Sequence, residues 1–316
     1  MPVTAGAGLP AGTVVEVSVP ATSANLGPGY DSFGLAIDIR DTLRLTVTDR
    51  QEAEFVAVSG EDAAQIPRDE RHLIARAIRK ALPEFGLDPA LPLRLECRNL
   101  IPHSRGLGSS ASAVVAGVAA AGALAKAAGT AEPCDEDFLQ LACAWEGHPD
   151  NAAPAIYGGV TLSWMSGPRA RTACLAAHPD LELAQLVPAT RLDTAVAREL
   201  LPATVPHADA AANSARAGLL VHALTREPAL LLEATADLLH QEYRRPAMPE
   251  TLGLVDRLRQ AGIAATVSGA GPTVLVLGTG GLAAAVESIL GAQEVFALHR
   301  GRLAAEGVTA EVTRML

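Results

Sequence analysis

The stretch Pro102-His103-Ser104-Arg105-Gly106-Leu107-Gly108-Ser109-Ser110-Ala111-Ser112 stands between an alternating strand pattern and a long alanine-rich helical pattern. Gly106 and Gly108 allow left-handed backbone angles and close approach of a ligand to the main chain. Ser109 and Ser110 fall at the helix start, where their hydroxyls can cap free N–H groups. Those N–H groups, together with the helix dipole, make a site for an anion such as a phosphate. A plain capped turn would need only one of the two glycines and one of the three serines at positions 109, 110 and 112. The run Gly106 to Ala111 also fits G-x-G-x-x-A, but no Asp or Glu occurs from Ala111 to Thr130, so a dinucleotide fold is rejected. The only lysines, Lys80 and Lys126, lie outside any Gly-Lys-Ser/Thr phosphate loop, and no G-x-S-x-G elbow is present.

Two more loops concentrate polar groups. Glu146-Gly147-His148-Pro149-Asp150-Asn151 precedes an apolar strand, and Pro20 to Asp31 carries Asn25 and Asp31 around a Gly27-Pro28-Gly29 turn. Arg198 and Arg244 are forks suited to a carboxylate. Composition narrows the classes. With 25 basic against 35 acidic residues and a net charge of -10, a nucleic-acid binder is excluded, since a phosphate backbone needs a basic face. The four cysteines, Cys97, Cys134, Cys143 and Cys174, have no metal-ligand spacing and read as reduced thiols of a cytoplasmic protein. The uncharged stretch from Gly106 to Ala125 is mostly small residues, so it reads as a buried helix and no membrane association is expected.

The glycine-serine turn resembles the P-x-x-x-G-L-G-S-S-A-S phosphate loop of the GHMP small-molecule kinases. Pro20 to Asp31 resembles their first motif, and Ser268-Gly269-Ala270-Gly271-Pro272-Thr273 their third. Thr22-Ser23-Ala24-Asn25-Leu26-Gly27-Pro28-Gly29-Tyr30-Asp31, the Glu146 to Asn151 loop and Leu239 to Arg244 together are similar to the homoserine kinase branch. The resemblance covers nearly the whole chain and implies phosphorylation of L-homoserine by ATP with Mg2+, on the threonine route. An L-threonine kinase and a non-catalytic ligand sensor of the same fold are the alternatives. Partners are L-homoserine and ATP; a homodimer is entertained, although nothing in the residues fixes the oligomeric state. The resemblance places Pro102 to Ser112 and Gly271 at ATP. It places Asn25, Asp31, His148, Asn151, Arg198 and Arg244 at the substrate, with Arg245 leaving the register of the last open. Asp31 and Thr194 are the positions to examine for catalysis, without a named general base. Some relatives carry a magnesium carboxylate eight residues before the histidine, where this chain has Gln140. The expected metal ligands are therefore Ser109, from the serine pair, and Glu146.

The elements that must hold these groups follow from hydrophobic period. Strands are expected at Thr13–Val19, Phe33–Ile39, Thr42–Thr48, Leu91–Cys97, Gly158–Trp164, Leu183–Val187, Ile263–Val267, Thr273–Leu277 and Val308–Val312. Helices are expected at Glu70–Leu82, Ser109–Ala128, Glu136–Trp145, Ala208–Leu224, Pro228–His240, Pro249–Gln260 and Gly281–Leu290, and fraying at residues 1–12. The class is α+β. The resemblance implies two domains, an N-terminal nucleotide-binding α+β domain at 13–168 and a C-terminal ferredoxin-like domain at 169–316, divided where Gly167, Pro168 and Pro179 cluster.

Overall fold

Val15, Val17 and Val19 alternate with Glu16 and Ser18, and the strand they form, β1 (Val14–Ala24), buries the valines under helices. The computed structural model describes residues 8–290 and 295–314; the expected fraying at residues 1–12 lies partly outside them. β1 pairs antiparallel along its whole length with β2 (Phe33–Val47), which is one long strand where the sequence suggests two. The pairing shifts between Pro20 and Ala21: Pro20 faces Arg40 and Ala21 faces Ile37. Proline lacks an N–H for the ladder, and a bulge accommodates it without ending the strand.

β3 (Val56–Gly60), β4 (Leu93–Asn99) and the hairpin of β5 (Val160–Ser166) and β6 (Arg169–Leu175) complete this sheet with β11 (Thr309–Arg314), which returns to β1. One face is covered by α1 (Leu73–Glu84), α2 (Ser109–Ala128), α3 (Asp135–Glu146) and α4 (Ala152–Tyr157). α2 is the uncharged stretch noted above, and 72% of its most apolar window is buried between its neighbours. Its small residues permit close crossings: a Cβ at Gly117 would lie 2.7 Å from Ala77 Cβ of α1, and one at Gly122 would lie 2.7 Å from the Phe138 ring of α3.

The second sheet has the order β10 (Phe296–Gly301), β7 (Glu182–Pro188), β9 (Val274–Gly278), β8 (Ala264–Val267), all antiparallel. In chain order this is a β-α-β-β-α-β unit with strands ranked 4-1-3-2, the ferredoxin-like arrangement. α8 (Pro249–Gln260) and α9 (Leu282–Leu290) cover one face. The other face, through Leu183, Val187, Leu275 and Leu277, shares a core with Leu35 and Ile37 of β2 and with Leu26 and Leu107 of the loops beside the first sheet, flanked by α6 (His207–Thr225). The phosphate-loop candidate lies at the rim of this shared core.

Three differences from the sequence reading bear on the site. Gly167 and Pro168 are the tight turn of the β5–β6 hairpin, so residues 169–175 pair with the first sheet, and β11 returns to it. The sheets therefore divide between Leu175 and Glu182, beyond the 168/169 boundary, with a C-terminal strand crossing back. The helix expected at 228–240 is broken. A 3₁₀ turn (Pro228–Leu230) and the short α7 (Leu231–Ala234) end at Thr235, and the Asp237 carboxylate accepts the N–H groups of Leu239, His240 and Gln241. Finally, β3, β6, β10, α4 and the six-residue α5 (Thr194–Glu199) are elements the hydrophobic pattern does not announce.

Candidate active site

A cleft of about 440 Å³ opens between the two sheets, lined by the glycine-serine turn, the Glu146 to Asn151 loop, the start of α5, and Arg244 with Gly269 and Ala270. Gly108, at φ 68°, is the residue that starts α2, and no side chain caps the helix. Ser109 and Ser110 are its first helical residues rather than its caps, so the first-turn N–H groups remain directed at the cleft, as an anion requires. The glycines are needed for close approach. A Cβ on Gly106 would lie 2.3 Å from the Ser268 carbonyl oxygen, and one on Gly108 would lie 1.8 Å from Thr22 Oγ1.

Within the turn the residues divide. Ser104, Gly106, Gly108, Ser109, Ser110 and Ala111 line the cleft. Leu107 is buried in the core between the sheets, and Ser112 Oγ donates to the Pro20 carbonyl at 2.8 Å, so these two side chains anchor the turn and face away from any ligand. Arg105 also turns away: its Nε donates to Pro188 O at 3.0 Å, and Nη1 lies 3.7 Å from Asp62. Arg105, which the resemblance places at ATP, is held by these contacts with its side chain away from the cleft. His103 borders a second cavity of about 360 Å³ on the other side of Ser109 and Ser110, with Pro102 just before it in the chain. Asp41, Asn99 and a buried His72 also line that cavity. Burial, with His103 nearby, lowers the His72 pKa to about 4. Asp41 accepts the N–H groups of Leu100 and Ile101 and so fixes the entry to the turn.

Glu146 ends α3, and its Oε1 accepts the Ser110 hydroxyl at 2.8 Å. Its partner is Ser110, not the expected Ser109, although both serines line the cleft. Gln140 is elsewhere: its amide bonds both the N–H and the carbonyl of Ala170 on β6. Six residues of α-helix separate the two, about 9 Å along the axis and roughly 240° around it, so they cannot share a site. Two hard oxygens in contact at the helix start suit a magnesium ion, which takes one or two protein oxygens beside phosphate.

At the other end of the cleft, Asn25 bridges two motifs. Its Oδ1 accepts the Asp31 N–H and its Nδ2 donates to Gly269 O. Asn151 Oδ1 accepts the Thr22 hydroxyl at 2.8 Å, leaving its amide nitrogen toward the cleft. His148 Nδ1 contacts the buried Asp150 carboxylate. Burial opposes charge on His148, but the bond to Asp150 and the charges of Asp150 and Asp31 outweigh it and raise its pKa. Asp31, His148 and Asp150 bring their polar atoms within 4.8 Å of one another. Thr194, the first residue of α5, sits exposed on the cleft rim. Gly271 does not line the cleft; its carbonyl backs Gly106, and Gly269 and Ala270 are the residues of that motif that face the cleft.

The arginines repay a count of donors. Arg198 gives its two Nη1 hydrogens to Tyr30 Oη (2.8 Å) and Asp31 Oδ2 (3.3 Å), and one Nη2 hydrogen to Asp31 Oδ1 (2.7 Å). Arg244 gives Nε to Ala197 O (3.2 Å), and Nη1 to His240 Nδ1 (3.0 Å) and Gly269 O (3.2 Å). A guanidinium has five N–H donors. Among the described residues, Arg198 Nε with one Nη2 hydrogen, and both Nη2 hydrogens of Arg244, have no partner. Arg244 is 1% exposed and hydrogen-bonds only neutral acceptors. Arg244 lines the cleft, whereas Arg245 pairs at the surface with Glu242 and Asp256. His240, fully enclosed, donates Nε2–H to Gly27 O at 2.8 Å. Burial foremost, with the Arg244 charge, lowers its pKa against the pull of Asp237, so it stays neutral and accepts from Arg244.

Tyr30, Asp150 and His240 are components the sequence reading gives no role. Tyr30 and Asp150 lie beside assigned residues in the quoted motifs, which is the signal available for them. His240 also lies in a quoted stretch, Leu239 to Arg244, and its bond to Gly27, 213 residues away, shows what it holds.

The GHMP kinases N terminal domain family matches residues 72–159, and the GHMP kinases C terminal family matches residues 220–295. The chain is 48% identical to the homoserine kinase of Streptomyces avermitilis over 295 residues, 93% of this chain and 95% of that protein. It is 49% identical to the homoserine kinase of Rhodococcus erythropolis over 279 residues, 86% of this chain and 88% of that one. Among solved structures, the homoserine kinase from Cytophaga hutchinsonii superposes with a TM-score of 0.81 at 25% identity, covering 94% of this chain and 97% of that one. The mevalonate diphosphate decarboxylase of Staphylococcus aureus, at 15% identity and TM-score 0.66 over 94% and 98% of the two chains, shares the fold.

Proposed function

The chain belongs to the GHMP kinases, in their homoserine kinase family, and from that membership and the free donors of the cleft we propose that it transfers the γ-phosphoryl group of ATP to the side-chain hydroxyl of L-homoserine. The observation that carries the choice of substrate is Arg244. A buried guanidinium without an acidic hydrogen-bond partner and with two free N–H groups is completed by a carboxylate, and burying either charge alone costs several kcal/mol. Sugars and other neutral alcohols offer no such anion.

The phosphates of ATP rest on the first-turn N–H groups of α2 and on the backbone of Ser104, Gly106 and Gly108. The base enters the 360 Å³ cavity beside His103 and Asn99, which shares Ser109 and Ser110 with the main cleft. Glu146 and Ser110 would hold Mg2+ beside the phosphates, where the ion would supply neutralisation of charge on the transferring group. The substrate carboxylate takes the free edges of Arg198 and Arg244. Asp31 takes its ammonium, and His148 and Asn151 confine the chain that ends in the hydroxyl. The hydroxyl oxygen bonds to the γ-phosphorus as the bond to the ADP oxygen breaks, and the hydroxyl proton is released to solvent. Such a loose transition state relies on alignment and charge stabilisation more than on a strong base. Asp31 is already engaged by Arg198, so its catalytic part is to orient, and Thr194, exposed on the cleft rim at the start of α5, is the second position proposed to face the hydroxyl.

An assay of ADP release with L-homoserine, L-threonine, mevalonate and galactose tests the proposal. Homoserine is expected to give the highest kcat/KM. Threonine, an isomer whose secondary hydroxyl sits one carbon closer to the clamped amino-acid group, is expected to be about 100-fold poorer, because misplacing a reacting atom by about 1 Å costs on that order. A higher kcat/KM for mevalonate or galactose overturns it.

A further inference from the structure

We infer that Tyr30 is the positioning residue that lets Arg198 serve Asp31 and a substrate carboxylate at the same time; the inference rests on the amino-acid reading above. Its hydroxyl accepts the outer Nη1 hydrogen of Arg198 at 2.8 Å, while Asp31 takes the inner edge of the same fork. With those three hydrogens held, the guanidinium presents its remaining edge, Nε and the outer Nη2 hydrogen, as a side-on pair. A carboxylate can then dock bidentately without displacing Asp31, which stays available to the ammonium.

The ring does a second task. Arg198 Cζ lies 5.6 Å from its centroid and Arg244 Cζ 5.7 Å, and the ring packs at 5.3 Å against His240, the acceptor of Arg244. Two guanidiniums brought together for one carboxylate repel each other before it arrives. A shared aromatic face and a phenol oxygen offset that repulsion. Burial, then Asp31, raises the phenol pKa against the pull of the arginines, so the group remains a neutral hydroxyl. One residue thus touches both arms of the clamp and the histidine that holds the second arm.

The test compares Tyr30→Phe with the parent on two substrates, L-homoserine and 3-aminopropan-1-ol, which keeps the amine and primary alcohol but has no carboxylate. The expected result is about a tenfold fall in kcat/KM for homoserine, the scale of a lost hydrogen bond to a charged group, carried by KM with kcat held. The amino alcohol should be unaffected, since it makes no use of the free edge of Arg198. In an Arg198→Ala background the further change Tyr30→Phe should cost nothing with either substrate. Equal losses on both substrates, no loss on homoserine, or a full additional loss in the Arg198→Ala background overturns the assignment. A parent that neither phosphorylates nor binds homoserine removes the amino-acid reading first, and this inference with it, which distinguishes that failure from a failure at Tyr30.

Discussion

Glu146 Oε1 accepts a hydrogen bond from Ser110 Oγ at 2.8 Å, joining the last residue of α3 to the first turn of α2. This contact sets a carboxylate beside the glycine-serine turn, whereas the glutamine six residues earlier braces β6 through Ala170. Glu146→Gln keeps the hydrogen bond and removes the charge. It is expected to raise the magnesium concentration for half-maximal turnover at least tenfold, with ATP and homoserine saturating. A metal titration that superimposes on the parent's assigns the ion to another carboxylate. Gln140→Glu, facing β6, should leave the titration unchanged.

Gly108→Val is expected to abolish turnover through the wall of the cleft as much as through the phosphates. The added Cβ would meet Thr22 Oγ1 and Asn151 Oδ1 at 1.8 and 2.9 Å, at a φ that strains any side chain. Both nucleotide affinity and homoserine KM should suffer. Loss of ATP binding alone, with homoserine binding intact by calorimetry, would contradict this placement.

His148 should titrate above its ordinary 6.5, because Asp150 favours the imidazolium against burial. A histidine raised in the folded state contributes stability that is fully present below its unfolded pKa and is lost as pH rises through the folded one. In Asp150→Asn the opposing effects leave burial dominant, so the NMR midpoint of His148 should drop below that of the parent. The destabilisation caused by the change should be larger at pH 6 than at pH 9. An unmoved midpoint would remove the pair as the cause.

Arg244→Ala removes one arm of the clamp. Truncating one partner of a buried charge pair costs about 2–5 kcal/mol, roughly 30- to several thousand-fold. That loss is expected in kcat/KM for homoserine, with the KM for ATP changed little. Arg245→Ala, which breaks only surface pairs with Glu242 and Asp256, should cost less than a factor of about five. The reverse ranking would return the clamp to Arg245.

The parts of the site legible in the sequence are those built locally. An anion site needs glycines and serines within one turn of chain, so Gly106 to Ser110 could be read without neighbours. Glu146 and Gln140 differ in what they touch, Ser110 Oγ for the first and the backbone of Ala170 for the second, and spacing along the chain carries neither contact. Arg244 against Arg245 turns on the direction of a second 3₁₀ turn (Glu242–Ala247), which follows the Asp237-capped segment after the break at Thr235. The periodic pattern smoothed that break into one helix. β6 was hidden because Gly167 and Pro168 signal a hairpin turn and a linker equally well. Tyr30 and His240 gain their roles from contacts between residues more than 160 apart in the chain, and no window along the sequence contains both partners.

Product analysis tests the central claim most directly. The parent enzyme is incubated with ATP, Mg2+ and L-homoserine, and phosphorus NMR follows the mixture. The account predicts a new phosphomonoester resonance, split by the two hydrogens of the CH2 that bears the former hydroxyl, growing in step with ADP. ADP formed without that ester, or no reaction with homoserine alongside a phosphomonoester from mevalonate or galactose, would contradict it.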